Sequence, residues 1–320
     1  MFNRSQFVEV GGHFSGTLDV SSGVPQGSVI GPLLFLVYIN DIVSTVSTNV
    51  NIRLFADDCV LFKTISSVDD QKMLNSSISL VHDWCNEWEM QLNSAKTVHL
   101  RMTRKIKPLK FTYQVNNVAV TEVCEYKYLG VTLTSDLRWS KHIQNISSSA
   151  FRKLGFLRRK LKNAPTSVKL QAYNSLVRSK IEYANIIWDP NTKKDASKLE
   201  MVQRRAVRFI YGMYKRLDSP SSLMAANNIT SLEQRRKIAR LKCLYLLYNN
   251  KLCVDSSLYI TSLSSRATRN HHQFSLQPIF TQTNIFKFSY FPRTISDWNA
   301  LPYNIFVAPN FNKALDDHPF

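Results

Sequence analysis

Ile52-Arg-Leu-Phe-Ala-Asp-Asp-Cys-Val-Leu-Phe62 is the stretch on which the fold reading turns. Two short apolar runs, 52–56 and 59–62, flank Asp57-Asp58, a pattern that predicts a β-hairpin with the carboxylates at its tip. Neither flank can bury a charge, so both acids face solvent or a ligand. Adjacent carboxylates are hard oxygen donors of the kind that Mg²⁺ takes together with substrate phosphates. A solvated turn is the plain alternative for the dipeptide alone.

Upstream, 6–24 reads as strand, turn, strand about Gly11-Gly12. Ser22-Gly-Val-Pro-Gln-Gly-Ser28 is a loop, and the apolar run 33–42 predicts a buried helix ending at Asn40-Asp41. Downstream, a helix starts at Asp69, with Leu74, Ile78, Val81, Cys85 and Trp88 on one face, and ends near Leu92-Asn93. A strand is predicted over 98–102, and a second hairpin where 111–115 and 118–120 flank Asn116-Asn117. One more strand runs over 126–133, with Gly130 inside it.

Beyond Trp139 the pattern turns helical. Ile143, Ile146, Ala150, Leu154, Leu157 and Leu161 form a stripe opposite Arg152, Lys153, Arg159, Lys160 and Lys162. Pro165-Thr-Ser opens a second helix to about Trp188. A third spans 196–214, with Leu199, Val202, Ala206, Phe209 and Met213 inward and Arg204, Arg205 and Arg208 between them. Ser231-Leu-Glu-Gln234 is a capping box opening a fourth, to about Tyr248. The Ser-, Asn- and aromatic-rich remainder, 251–320, has little periodicity and reads as a loosely structured tail or small subdomain. His271-His272 lacks partners at metal-ligand spacing and reads as structural.

The chain has 320 residues, 44% of them hydrophobic, enough for a sizeable core and about two domains. The longest nearly apolar run, 29–39, is 11 residues, against about 20 for a membrane span. The first 20 residues hold no apolar signal core. Five widely spaced cysteines argue against a disulfide scaffold or zinc ribbon, so a reducing, intracellular setting is expected, nucleus or cytoplasm. The net charge of +18 is unevenly placed: 1–100 holds 5 Lys and Arg against 10 Asp and Glu, and 101–250 holds 30 against 9. An acidic part followed by a strongly basic one favours carboxylate chemistry beside a polyanion partner over a charge that only confers solubility.

Several ordered motifs then coincide. Ser22-Gly-Val-Pro-Gln-Gly-Ser28, Gly31-Pro-Leu-Leu-Phe35, Tyr38-Ile-Asn-Asp-Ile42 and Phe55-Ala-Asp-Asp58 together resemble the reverse transcriptase of jockey-like non-LTR retrotransposons. The resemblance continues in Trp84-Cys-Asn-Glu-Trp88, Leu92-Asn-Ser-Ala-Lys-Thr97 and Tyr126-Lys-Tyr-Leu-Gly-Val131, and more weakly through the basic helices to Trp298-Asn-Ala-Leu-Pro302.

This resemblance implies an α+β fold. A partial right-hand polymerase palm, antiparallel sheet plus helices, would occupy 1–138, a basic helical thumb and its extension 139–250, and the tail or subdomain 251–320. It implies RNA-directed DNA polymerase chemistry, in which two Mg²⁺ (or Mn²⁺) ions serve template-directed nucleotidyl transfer, with an RNA template, a DNA primer or an RNA–DNA duplex as partners. Asp57 and Asp58 would be catalytic metal ligands, and Lys96 would act on the leaving pyrophosphate. Gly23, Gln26, Gly27, Phe55 and Ala56 would lie at the nucleotide or template, with Gly23 and Gly27 permitting close backbone approach. Tyr128, Leu129 and Gly130 would position the primer end, and Arg152, Arg159, Arg204 and Arg208 would meet the nucleic-acid backbone. The bland alternatives are a Pro-Gly turn, a solvated lysine, a plain core strand and solvated helix faces.

The family's third metal-binding Asp lies on a strand well upstream of the Gly-rich loop, after a fingers region. Only 21 residues precede Ser22, and Asp19 is too close to that loop to be the ligand. The expectation is therefore the C-terminal part of a partial or decayed element, inactive in isolation, with a non-catalytic nucleic-acid-binding remnant as the alternative.

Overall fold

A computed structural model describes residues 4–21, 23–24, 27–215, 218–263 and 272–320. The chain divides into two compact units, Met1–Val123 and Cys124–Phe320. The first is mixed and the second largely helical, an α+β protein.

In the first unit, strands β1 (Arg4–Gln6), β2 (Glu9–Val10), β3 (His13–Phe14) and β4 (Leu18–Val20) nest as a ladder, β1 antiparallel to β4 and β2 to β3. Helices α1 (Gly31–Ile39) and α2 (Ile42–Thr45) follow, then the antiparallel pair β5 (Asn51–Phe55) and β6 (Asp58–Phe62). Helix α3 (Val68–Glu87) starts on a capping box in which Ser67 and Asp70 satisfy each other's backbone N–H groups. Strands β7 (Val98–Leu100), β8 (Gln114–Val115), β9 (Val118–Ala119) and β10 (Thr121–Val123) complete the unit. Its core gathers Ile39, Ile42, Val50, Ile52, Leu74, Val81, Trp84, Cys85 and Tyr113.

Two expectations need correction here. The described strands do not join into one antiparallel palm sheet: they form two-stranded sheets, and β7 pairs with β10 in parallel. Helix α1 is not buried, since Leu33, Leu36 and Val37 are 62%, 55% and 68% exposed and only Gly31 and Ile39 are closed off. Its sequence is apolar all round, and such a run specifies no face. Only one side finds partners: Phe35 and Ile39 reach the core, and Tyr38 sets its ring edge against Trp84 and Trp88.

The second unit opens with a hairpin, β11 (Glu125–Tyr128) and β12 (Val131–Thr134), where one continuous strand was expected over 126–133. Helices α4 (Ser140–Lys160), α5 (Thr166–Ala172), α6 (Ser179–Glu182), α7 (Asn185–Trp188) and α8 (Lys193–Tyr211) follow, with a π-helical turn, Tyr173–Arg178, joining α5 to α6. The predicted helix to Trp188 is interrupted at Ala184, whose φ of 52° starts a new helix. The stripes of α4 and α8 meet in a core with Tyr173, Val177 and Trp188, each fully buried large side chain contributing about 1.5–3 kcal/mol. Met213, expected on the α8 stripe, lies beyond the helix end and is exposed.

Helix α9 (Pro220–Ala226) precedes α10 (Leu232–Tyr248), whose Ser231 cap accepts from Gln234 N–H. The segment 251–320, expected to be loosely structured or a small subdomain, carries α11 (Asn284–Lys287), α12 (Tyr290–Asn299), α13 (Tyr303–Phe306) and α14 (Phe311–Asp316). Ile295, Trp298, Ile305, Phe311 and Leu315 share a core with Ile238, Leu241 and Leu244 of α10, so this stretch is built onto the helical unit. The boundary expected near 138 falls at 123/124 because the β11–β12 hairpin is tied to the helices: Val131 enters their core, Thr132 N–H donates to His142 Nδ1 at 3.1 Å, and Lys141 pairs with Glu125 at 3.3 Å.

Candidate functional site

The β5–β6 hairpin is built by alternation. Ile52 is buried and Leu54 half-buried, while Asn51, Arg53 and Phe55 face out. The register closes on the Phe55–Asp58 pair, so the two-residue turn is Ala56-Asp57, one position earlier than the carboxylate pair itself. Ala56 takes φ 50°, the left-handed conformation that the tight turn requires. Asp57 thus sits in the turn and Asp58 opens β6, and both side chains are exposed, as are Phe55 and Ala56. Behind them Cys59 is packed inward, and burial with Cys85 nearby pushes its thiol up to about 11, so it stays a protonated core group.

The donor set suits a hard cation, since two exposed carboxylates are the oxygen ligands that Mg²⁺ takes together with substrate phosphates. Among the described residues no group of three or more His, Cys, Asp or Glu side chains converges on one point, so these two acids alone cannot fix a pair of ions.

Other expected site residues fall in the same unit. Gly23 and Gly27 have φ 79° and 85°, and a Cβ on either would meet nothing within 4 Å. Backbone conformation accounts for a glycine at both positions, and neither Cα is crowded by the chain itself. Gly23 O accepts from Arg4 Nη2 at 2.7 Å. Gln26 lies outside the described residues. Lys96 is exposed in a turn organised by Asn93, whose side-chain oxygen accepts from Lys96 N–H at 3.1 Å.

The remaining residues belong to the helical unit. Tyr128 pairs with Val131 across a two-residue turn of Leu129 and Gly130, with φ 44° and 82°. Tyr183, 54 positions further on, donates its hydroxyl to Leu129 O at 3.0 Å and lays its ring against Gly130, where a Cβ would come 3.0 Å from Cε1. Trp188 Nε1 holds the Tyr183 carbonyl at 2.9 Å. Sequence reasoning misses Tyr183 and His142, because nothing local marks a contact made across such a separation. Arg152, Arg159 and Arg204 are exposed on α4 and α8. Arg208 is half-buried and donates to Asp218 O at 3.3 Å, bracing the end of α8 through one edge of its guanidinium.

Comparison with known proteins now bears on this geometry. Residues 3–133 match the family model "Reverse transcriptase (RNA-dependent DNA polymerase)". Over that segment the chain is similar to reverse transcriptases. The chain is similar to the RNA-directed DNA polymerase from mobile element jockey of Drosophila melanogaster, 27% identical over 220 residues, covering 65% of this chain and 24% of that protein. The jockey polymerase of Drosophila funebris is 27% identical over 204 residues, 60% of this chain and 22% of that protein. A retrovirus-related Pol polyprotein from type-1 retrotransposable element R1 of Nasonia vitripennis is 24% identical over 200 residues, 58% of each. The chain thus spans about a quarter of the length of the jockey relatives it matches. The jockey-like, non-LTR resemblance read from the motifs is the one these relatives carry, and the reverse-transcriptase segment contains the Asp57-Asp58 hairpin whole.

Proposed function

We propose that this chain supplies part of an RNA-directed DNA polymerase from a jockey-like non-LTR retrotransposon, and that the 320-residue chain alone grips nucleic acid without extending a primer. One observation carries the reading: within the reverse-transcriptase segment, two adjacent carboxylates stand exposed at the tip of a hairpin whose own flanks are apolar.

In this reading the first unit is palm and the helices α4 and α8 are thumb. Asp57 and Asp58 offer oxygen ligands to Mg²⁺ or Mn²⁺ beside the incoming nucleotide. When bound, the metal supplies Lewis-acid charge at the primer 3′ oxygen and the leaving pyrophosphate. Lys96, on a mobile four-carbon stem, offers a cation or proton to the pyrophosphate. The Tyr128-Leu129-Gly130 turn, held by Tyr183, orients the primer end, and Arg152, Arg159 and Arg204 neutralise backbone phosphates of an RNA–DNA duplex. Only two carboxylates meet here among the described residues, which leaves in-line geometry unfixed, and small misplacements in such a site cost about 100-fold in rate.

The test is primer extension on poly(rA)–oligo(dT) with Mg²⁺ or Mn²⁺, run beside fluorescence anisotropy of the same duplex. The expected result is salt-sensitive binding with no extension. Extension that Asp57→Asn abolishes refutes the inactivity, and absence of binding at low salt refutes the duplex grip.

A further inference from the structure

The connection between β7 and β8 carries Arg101, Arg104, Lys105, Lys107 and Lys110 with no acid among them. Its base is pinned. Arg101 pairs with Glu122 of β10, and its Nη1 donates to Leu109 O at 3.1 Å, closing the loop across eight residues. Gln71 of α3 donates to the same carbonyl at 3.4 Å. The other four cations are exposed and have no ion pair, side-chain hydrogen bond or ring contact among the described residues. Ile106, between Lys105 and Lys107, is 98% exposed.

A loop shaped only by its own packing would turn Ile106 inward and pair some of its cations. This one holds four like charges outward on a fixed base, a local positive field that a polyanion would neutralise with release of its counterions. The setting sharpens the point, because residues 1–100 of the same unit hold 5 basic against 10 acidic residues. The geometry points to a second nucleic-acid contact, in which Arg104, Lys105, Lys107 and Lys110 neutralise backbone phosphates of the duplex or of the single strand leading to it. The contact is blind to sequence, since loop cations of this kind meet phosphates and not base edges. It rests on the nucleic-acid reading above and adds a site in the first unit to those of α4 and α8.

The experiment uses the full chain and two variants. One replaces Arg104, Lys105, Lys107 and Lys110 with Gln, and the other replaces Arg152, Arg159 and Arg204 with Ala. Anisotropy of a labelled RNA–DNA duplex and of a single-stranded RNA is followed from 50 to 200 mM salt, with thermal unfolding as the folding control. Each phosphate neutralised adds about 0.9 to the slope of log affinity against log salt on a duplex. The parent should therefore lose on the order of 100-fold more affinity than the loop variant over that range, with melting unchanged. If the loop variant keeps the parent's slope while the helix variant loses binding, the loop proposal fails and the nucleic-acid reading stands. If the parent does not bind at low salt, both fail. Loss by the loop variant of binding to vesicles containing phosphatidylserine, with nucleic-acid binding intact, assigns the loop to a membrane surface and also overturns the proposal.

Discussion

Asp189 is the residue whose replacement should cost this protein most. It follows α7, is buried, and serves three guanidinium groups: Arg236 Nε at 2.7 Å, Arg240 Nε at 2.9 Å and Arg293 Nη1 at 3.1 Å. The side chains of Arg236 and Arg240 are 2% and 3% exposed and lie one turn apart on α10, while Arg293 comes from α12. Asp297 takes a second edge of Arg240 at 3.0 Å, so two carboxylates hold three arginines. Asp189→Asn keeps the shape and removes the charge, leaving buried guanidinium groups with Asp297 as their remaining acid. Removing one partner of a buried pair costs about 3–5 kcal/mol. Against a total stability of roughly 5–15 kcal/mol, that unfolds the helical unit at moderate denaturant. Urea unfolding followed by far-UV circular dichroism measures it, with Asp69→Ala, which loses an exposed pair with Lys72 and a first-turn charge on α3, as the reference at about 1 kcal/mol or less. A loss below about 1 kcal/mol for Asp189→Asn refutes the reasoning. A triple replacement of Asp189, Arg236 and Arg240 by apolar residues of similar volume should recover most of the stability.

Three further outcomes follow from the same geometry. His142 accepts from Thr132 N–H, and burial together with Lys180 and Lys127 lowers its pKa to about 4, so the folded state holds it neutral. Unfolding then takes up a proton below the ordinary value of 6.5, so about 2–3 kcal/mol of stability is present at pH 7 and is lost as pH falls from about 6.5 towards 4; His142→Asn should remove that slope in denaturation measured across pH. Gly130→Ala should cost about 1–2 kcal/mol through its positive φ and displace Tyr183, read as lower stability with no gain from added helix or strand propensity; a neutral result means the turn relaxes freely. Asp57→Asn should weaken Mn²⁺ binding measured by electron spin resonance, and unchanged binding removes the hairpin from the metal site.

The hairpin at Asp57-Asp58, the Asn116-Asn117 turn and the helices α3, α4 and α10 were legible because each is declared by neighbours within a few positions: alternation, a stripe at helical spacing, a cap. The candidate acidic pair came with the hairpin, since its apolar flanks leave charges nowhere else to go. Sequence periodicity could not say which side of the uniformly apolar α1 would be covered, and the structure leaves much of it open. Nor could it place 284–316 against α10, where Trp298 and Leu315 are buried by residues far away in the chain. The parallel pairing of β7 with β10, the turn clamped by Tyr183, the bracing role of Arg208 and the Asp189 cluster, whose Arg293 lies 104 positions away, all depend on which surfaces meet. The sequence by itself determined the Asp57-Asp58 hairpin, the striped and capped helices, the reverse-transcriptase motifs and the charge division. Only the tertiary structure decided which arginines are buried braces and which are exposed, because desolvation acts on a charge according to its neighbours in space, and those are chosen by packing.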